Sequence, residues 1–287
     1  MGKLHDQMKA DLVLKRFSPH TQKNYLRCVR HFAKHFMRSP DQMGHGEVRQ
    51  FLLHLVQDRN ASTHTQAQYV SALKFFYNVT VKKPEVVKDI PYPKQSRRLP
   101  DILSPEEVMR VFKTVRSIKY KAIIATAYAA GLRISEVCTL RITDIDSQRM
   151  RIHIRSGKGD KDRYVILAES LLTLLRQYFS TVQPKGEFLF PGRAPGSHIS
   201  TSTVTLVLRK IIQQTGLSKK VTMHTFRHCF ATHLLEGGAD IRVLQALLGH
   251  SSITTTLRYT HITDRLISKL VSPFDKLNCP ESAPSHA

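Results

Sequence analysis

The sequence is short of acid. Of 287 residues only 22 are Asp or Glu, against 44 Lys or Arg, giving a formal net charge of +22. A compact fold carrying that excess repels itself, and such a charge usually persists because the partner is a polyanion. Cysteine is also sparse. Cys28, Cys138, Cys229 and Cys279 lie far apart and form no CxxC pair, which excludes a zinc knuckle or a disulfide frame and reads as reduced thiols in a cytoplasmic protein. No run approaches the roughly 18–20 apolar residues of a membrane span. The opening Met1-Gly2-Lys3-Leu4-His5-Asp6 has no signal-peptide core, and Asp6 stands where a myristoylation signal wants Ser or Thr. No Walker loop and no GxGxxG is present, so no nucleotide cofactor is expected.

What is present can form a core, because 41% of the residues are hydrophobic and 23% charged. The charge is spread over both halves. Residues 1–95 hold 16 basic and 7 acidic side chains, a net of +9, and residues 96–287 hold 28 and 15, a net of +13. Two positive lobes suit a polyanion held between them, with nucleic acid the leading candidate and an anionic membrane the weaker one.

The first lobe reads as a helical bundle over residues 1–80. Ser18-Pro19 is a cap followed by proline at the first helical position. Tyr25, Val29, Phe32, Ala33 and Phe36 then form one apolar stripe. Shorter stripes run through Leu4, Met8, Leu12 and Val13, through Val48, Phe51, Leu52, Leu55 and Val56, and through Val70, Leu73, Phe76 and Tyr77. Residues 81–100 gather Pro84, Pro91, Pro93 and Pro100 among lysines and arginines, the texture of an extended interdomain linker. The second lobe, 101–277, opens on a capping box at Ser104-Pro105-Glu106-Glu107. A buried helix from Ile118 to Ala130 is closed by Gly131. Residues 151–155 and 163–167 alternate like a hairpin around a charged, glycine-rich loop. Helical patterns resume from 169, and a polar tail follows at 278–287. The expected fold is mainly α, with one small β-sheet in the larger domain.

Several polar residues stand where structure alone does not ask for them. Arg133 follows the buried helix, and a guanidinium there needs an anionic partner; Glu136, three residues on, or a bound anion would each serve. Lys158 sits between two glycines at the hairpin tip, either as a solvated turn residue or as an unobstructed ammonium. His224 and Arg227 share a face at the start of a helix capped by Thr222, where an anion is welcome. His224 and His228 have metal-ligand spacing, but Thr225 stands where the zinc motif has glutamate. His250 ends a short helix that begins near Asp240. Tyr259, taken alone, reads as a packing residue. Two arginines, a lysine, two histidines and a tyrosine together suit phosphoryl transfer on a phosphodiester without a metal. Fixed guanidinium forks bind the spreading charge, a hydroxyl attacks, and a general acid protonates the leaving oxygen.

These segments resemble the tyrosine recombinase (phage integrase) family, and the length and layout are most similar to Xer-type and mobile-element integrases. Gly131-Leu132-Arg133, Gly157-Lys158-Gly159, His224-Thr225-Phe226-Arg227, Leu248-Gly249-His250 and Arg258-Tyr259-Thr260-His261 match the family's catalytic motifs in order. The resemblance implies a helical core-binding (SAM-like) DNA-binding domain, a linker and a catalytic domain. It also implies that Tyr259 attacks the scissile phosphate to give a 3′-phosphotyrosyl link. Arg133 and Arg227 would clamp the non-bridging oxygens with help from His250, Lys158 would protonate the leaving 5′-oxygen, and His224 would assist proton transfer at the tyrosine. Glu136 matches an accessory acidic position. The family needs no cofactor or metal. It works as a homo-tetramer on paired sites, with room for a second recombinase or an accessory protein. The amphipathic stripe Leu266, Ile267, Leu270, Val271 and Phe274 resembles the segment that docks on a neighbouring subunit. A cytoplasmic, nucleoid-associated enzyme is expected. The rival readings are a type IB topoisomerase that relaxes DNA and a catalytically silent DNA-binding module.

Overall fold

The computed structural model describes residues 2–94, 101–155 and 162–249. The chain divides into two compact units, 1–98 and 99–287.

In the first unit four helices surround one core: α1 (Gly2–Leu14), α2 (Pro19–Phe36), α3 (His45–Gln57) and α4 (Thr63–Phe75), the last running on as a π-helical turn over Phe76–Thr80. The Ser18 hydroxyl accepts a hydrogen bond from the Thr21 amide at 3.2 Å, and Ser62 caps α4 in the same way on Thr65. Each cap satisfies an amide that the first helical turn leaves without a partner. The expected stripes supply the buried side chains, with Met8, Leu12, Phe32, Phe51, Val70 and Leu73 at their centre. Val13 and Val56, at the edges of their stripes, are exposed. Tyr77 is wholly buried, its hydroxyl donating to the carbonyls of Pro40 and Met43. The proline-rich stretch differs from an extended linker in its first half. Residues 84–86 form a 3-10 turn, and Val86, Val87 and Ile90 are buried in the same core. Three apolar residues in five outweigh the extending effect of the prolines around them.

The second unit is also mainly helical: α5 (Pro105–Thr114), α6 (Ile118–Ala129), α7 (Ile134–Cys138), α8 (Glu169–Val182), α9 (Thr201–Thr215), α10 (Met223–Glu236) and α11 (Ile241–Leu248). The capping box at Ser104 closes as expected, the Ser104 amide donating to Glu107 at 2.8 Å. Helix α6 is buried from Ala122 to Ala127 and packs between α8 and α10. A three-stranded antiparallel sheet runs in the order β1 (Ile145–Asp146), β2 (Arg151–Ile154), β3 (Arg163–Ile166). The two residues of β1 are too few to show alternation, and the sequence pattern does not reveal them. Below the hairpin tip, Arg155 donates to the buried Asp144 at 2.7 Å, and His153 pairs with Asp162 at 2.9 Å. Cys28, Cys138 and Cys229 are buried free thiols, and burial pushes the first two up to about 11. Among the described residues no helix is long and apolar enough to cross a membrane.

Gly131 closes α6 in the left-handed region, φ +63°. A Cβ there would lie 2.4 Å from Cδ1 of the buried Phe230 ring. Backbone strain and overpacking therefore act together in Gly131→Ala, which should lose roughly 2–4 kcal/mol in a urea melt. An unchanged midpoint would mean that Phe230 moves aside at no cost.

Candidate active site

Three elements of the second unit meet around one carboxylate. Glu136 lies in the first turn of α7, 9% exposed. It accepts from the Arg133 amide at 2.8 Å, as a helix-start glutamate does, and from the Arg133 guanidinium at 2.7 Å. Arg163, which opens β3, donates to both of its oxygens, Nη1 to Oε1 at 3.0 Å and Nη2 to Oε2 at 2.9 Å. Nη1 of Arg227, on α10, stands 3.8 Å from Oε2. The two partners considered for Arg133 are therefore compatible. It is paired with Glu136, and its side chain still has 23% of its surface open, against 1% for Arg227.

Arg227 is a charged group built into the core. Its Nη1 donates to the Gly131 carbonyl at 2.8 Å and its Nη2 to the Leu248 carbonyl at 2.6 Å. The Leu248 carbonyl ends α11, and the Gly131 carbonyl belongs to the turn that follows α6. A helix C-terminus leaves its last carbonyls without helical partners and carries partial negative charge, so a guanidinium is welcome at Leu248. Arg163 does the same one residue earlier on α11, donating from Nε to the Leu247 carbonyl at 2.9 Å. Gly249 then turns the chain at φ +62°, and His250 follows it.

The electrostatics favour an anion. Three guanidiniums share Glu136. Burial alone would push the Glu136 carboxyl up, but the hydrogen bonds from Arg163 and from the Arg133 amide, with the arginine charges, outweigh it and hold the group below the usual carboxylate range. His224, at the second position of α10, keeps an exposed edge. Partial burial, and then the charges of Arg227 and Arg133, hold its imidazole below the ordinary histidine range. Both causes favour the uncharged imidazole, the form that accepts a proton.

Of the positions singled out from the sequence, Arg133, Glu136, His224 and Arg227 come together here. Lys158, His250 and Tyr259, with the stripe after Tyr259, lie outside the described residues. Arg163 was not foreseen. The signal was its parity, for it shares a face of β3 with buried Val165, while Tyr164 and Ile166 point outward and are exposed. An arginine in phase with a core residue must find an anion inside. Among the described residues no group of three or more His, Cys, Asp or Glu could hold a metal ion.

Comparison with known proteins places both parts of the chain among known sequence families. Residues 101–265 match the model of the phage integrase family, and residues 4–85 match that of the phage integrase N-terminal SAM-like domain. A putative integrase/recombinase, y4qK of Sinorhizobium fredii, is 42% identical over all of this chain and 93% of its own length. Tyrosine recombinase XerD of Listeria innocua is 30% identical over 92% of this chain and 95% of its own. In fold the chain is similar to a lambda integrase dimer bound to a COC′ core site, with TM-score 0.75, 17% identity and coverage of 90% and 94%.

Proposed function

The chain belongs to the phage integrase family, the tyrosine recombinases, and on that basis we propose that it is a site-specific recombinase acting as a homo-tetramer on paired sites in double-stranded DNA. Tyr259 attacks the scissile phosphorus as the P–O5′ bond breaks. The products are a 3′-phosphotyrosyl ester and a 5′-hydroxyl, whose proton comes from Lys158, while His224 takes the tyrosine proton. One ester replaces another, so a 5′-hydroxyl from the partner strand reverses the step without an energy source. Neither a metal nor a cofactor is required, because the arginines carry the charge stabilisation.

The observation that best supports this reading is the Glu136-centred cluster. It holds Arg133 and Arg227 in one place with their charge only partly neutralised. Spread negative charge on a pentacoordinate phosphate is what such guanidiniums bind better than the ground state. The downward shift at His224, which favours its uncharged form, supports its part as proton acceptor. The similarity to a recombinase bound to its core site is in keeping with duplex DNA as substrate.

The test is a nicked suicide duplex carrying the inverted repeats that flank the element's crossover site. Covalent protein–DNA adduct should accumulate. Lys158→Ala should slow it by about 10²–10⁴-fold, and a 5′-bridging sulfur, which leaves without a proton, should restore most of the rate. No restoration would remove Lys158 from the acid's role. Relaxation of supercoils without a Holliday junction on paired sites would favour the topoisomerase reading, and binding with no adduct at all the silent module.

A further inference from the structure

Arg163 is absent from the set of residues assigned to the reaction above, yet its whole guanidinium is engaged in the cluster. Its Nη1 and Nη2 take the two oxygens of Glu136 as a fork, and its Nε takes the Leu247 carbonyl. All three nitrogens have protein acceptors, and the side chain is 11% exposed. Its fork is engaged with Glu136, so its effect on the reaction would pass through that carboxylate. The Glu136 that it grips is the group that also holds Arg133 and stands 3.8 Å from Arg227.

We propose that Arg163 is a positioning residue: it holds Glu136 by a two-pronged grip so that Arg133 and Arg227 stay aimed at the scissile phosphate. Without that grip the carboxylate, buried and still charged, must satisfy both oxygens from Arg133 and Arg227. Arg227 needs to close little more than an ångström to pair with it directly. The clamp would then turn inward and surrender part of its charge. The fork–fork geometry also explains why arginine stands here. A lysine keeps the charge, but as a point donor it cannot hold both carboxylate oxygens and the Leu247 carbonyl in one plane. Gly249 fits the same account, since a Cβ there would come within 3.1 Å of the Arg163 stem.

The inference rests on the recombinase reading, and the experiment separates the two. Single-turnover adduct formation is measured at saturating DNA for the wild type and Arg163→Lys. Two suicide duplexes are used, one with the natural phosphate and one with a methylphosphonate at the scissile position, which lacks the charge the clamp stabilises. DNA affinity and the melting temperature are read alongside. The lysine variant should bind DNA within about twofold of the wild type and cleave the natural phosphate about 10–100-fold more slowly, the usual cost of a misplaced catalytic group. On the methylphosphonate its deficit should shrink to less than about threefold, because that centre no longer needs the aimed charge. An equal deficit on both duplexes, or none on the natural one, would overturn the proposal. So would loss of the melting transition in both Arg163→Lys and Arg163→Met, which would make Arg163 a residue of the fold alone. Failure of the wild type to form adduct on the natural duplex would instead sink the recombinase reading.

Discussion

Glu136→Gln should cost about 3–5 kcal/mol of stability in a urea melt at neutral pH, the range for removing one partner from a buried ionic network. The amide keeps the shape and loses the charge. It presents a donor where Arg133 or Arg163 already donates, so at least one guanidinium is left without its acceptor in a place with little access to water. The acid limb gives an independent check. The folded-state pKa of Glu136 is held below its unfolded value. Its contribution is therefore complete above the unfolded value and is lost as pH falls through the folded one. Wild-type and Glu136→Gln stabilities should differ widely at neutral pH and converge in acid. Parallel curves at all pH values would mean that the carboxylate is not the ionised hub described here. Adduct formation should fall along with stability in this variant, because Arg133 loses the group that orients it.

Tyr259→Phe should abolish the covalent adduct, a loss of at least roughly 10⁴-fold, as expected when the sole nucleophile is removed. DNA affinity should stay within about twofold, since most of the binding free energy of such a basic protein comes from phosphate contacts spread over the surface. The two readouts must be taken on the same preparation. Adduct that persists in the variant would mean that another hydroxyl attacks, and the assignment of Tyr259 would be wrong. Affinity that collapses with it would mean that the tyrosine acts chiefly in binding.

Local chemistry was legible in the chain, and convergence was not. The caps at Ser18, Ser104, Thr222 and Asp240 are set by a side chain reaching two or three residues along, so the sequence shows them directly. The stripes of α2 and α3 follow from helical period alone. Val86, Val87 and Ile90 escaped because an apolar run among prolines can lie extended or fold back, and only the neighbouring core decides. For Arg133 the sequence left Glu136 and an external anion as competing partners. The geometry pairs Arg133 with Glu136 while part of the arginine stays exposed, and Arg163, 27 residues from Glu136 in the chain, shares the carboxylate. No local pattern encodes that pairing. The resemblance carried the four described site positions, but it could not show that the last two carbonyls of α11 are each held by an arginine.

The burial of Arg227 bears on when its order is established. Its side chain loses its freedom as the chain folds, tied to the turn after α6 and to the end of α11, before any substrate is bound. In the proposed reaction the guanidinium would meet a phosphate already desolvated and already oriented, with little reorganisation left for the encounter. The same construction makes this charge hard to shed. Removing Arg227 would take this donor from the Gly131 and Leu248 carbonyls together, so the residue is tied to the fold as well as to the proposed site.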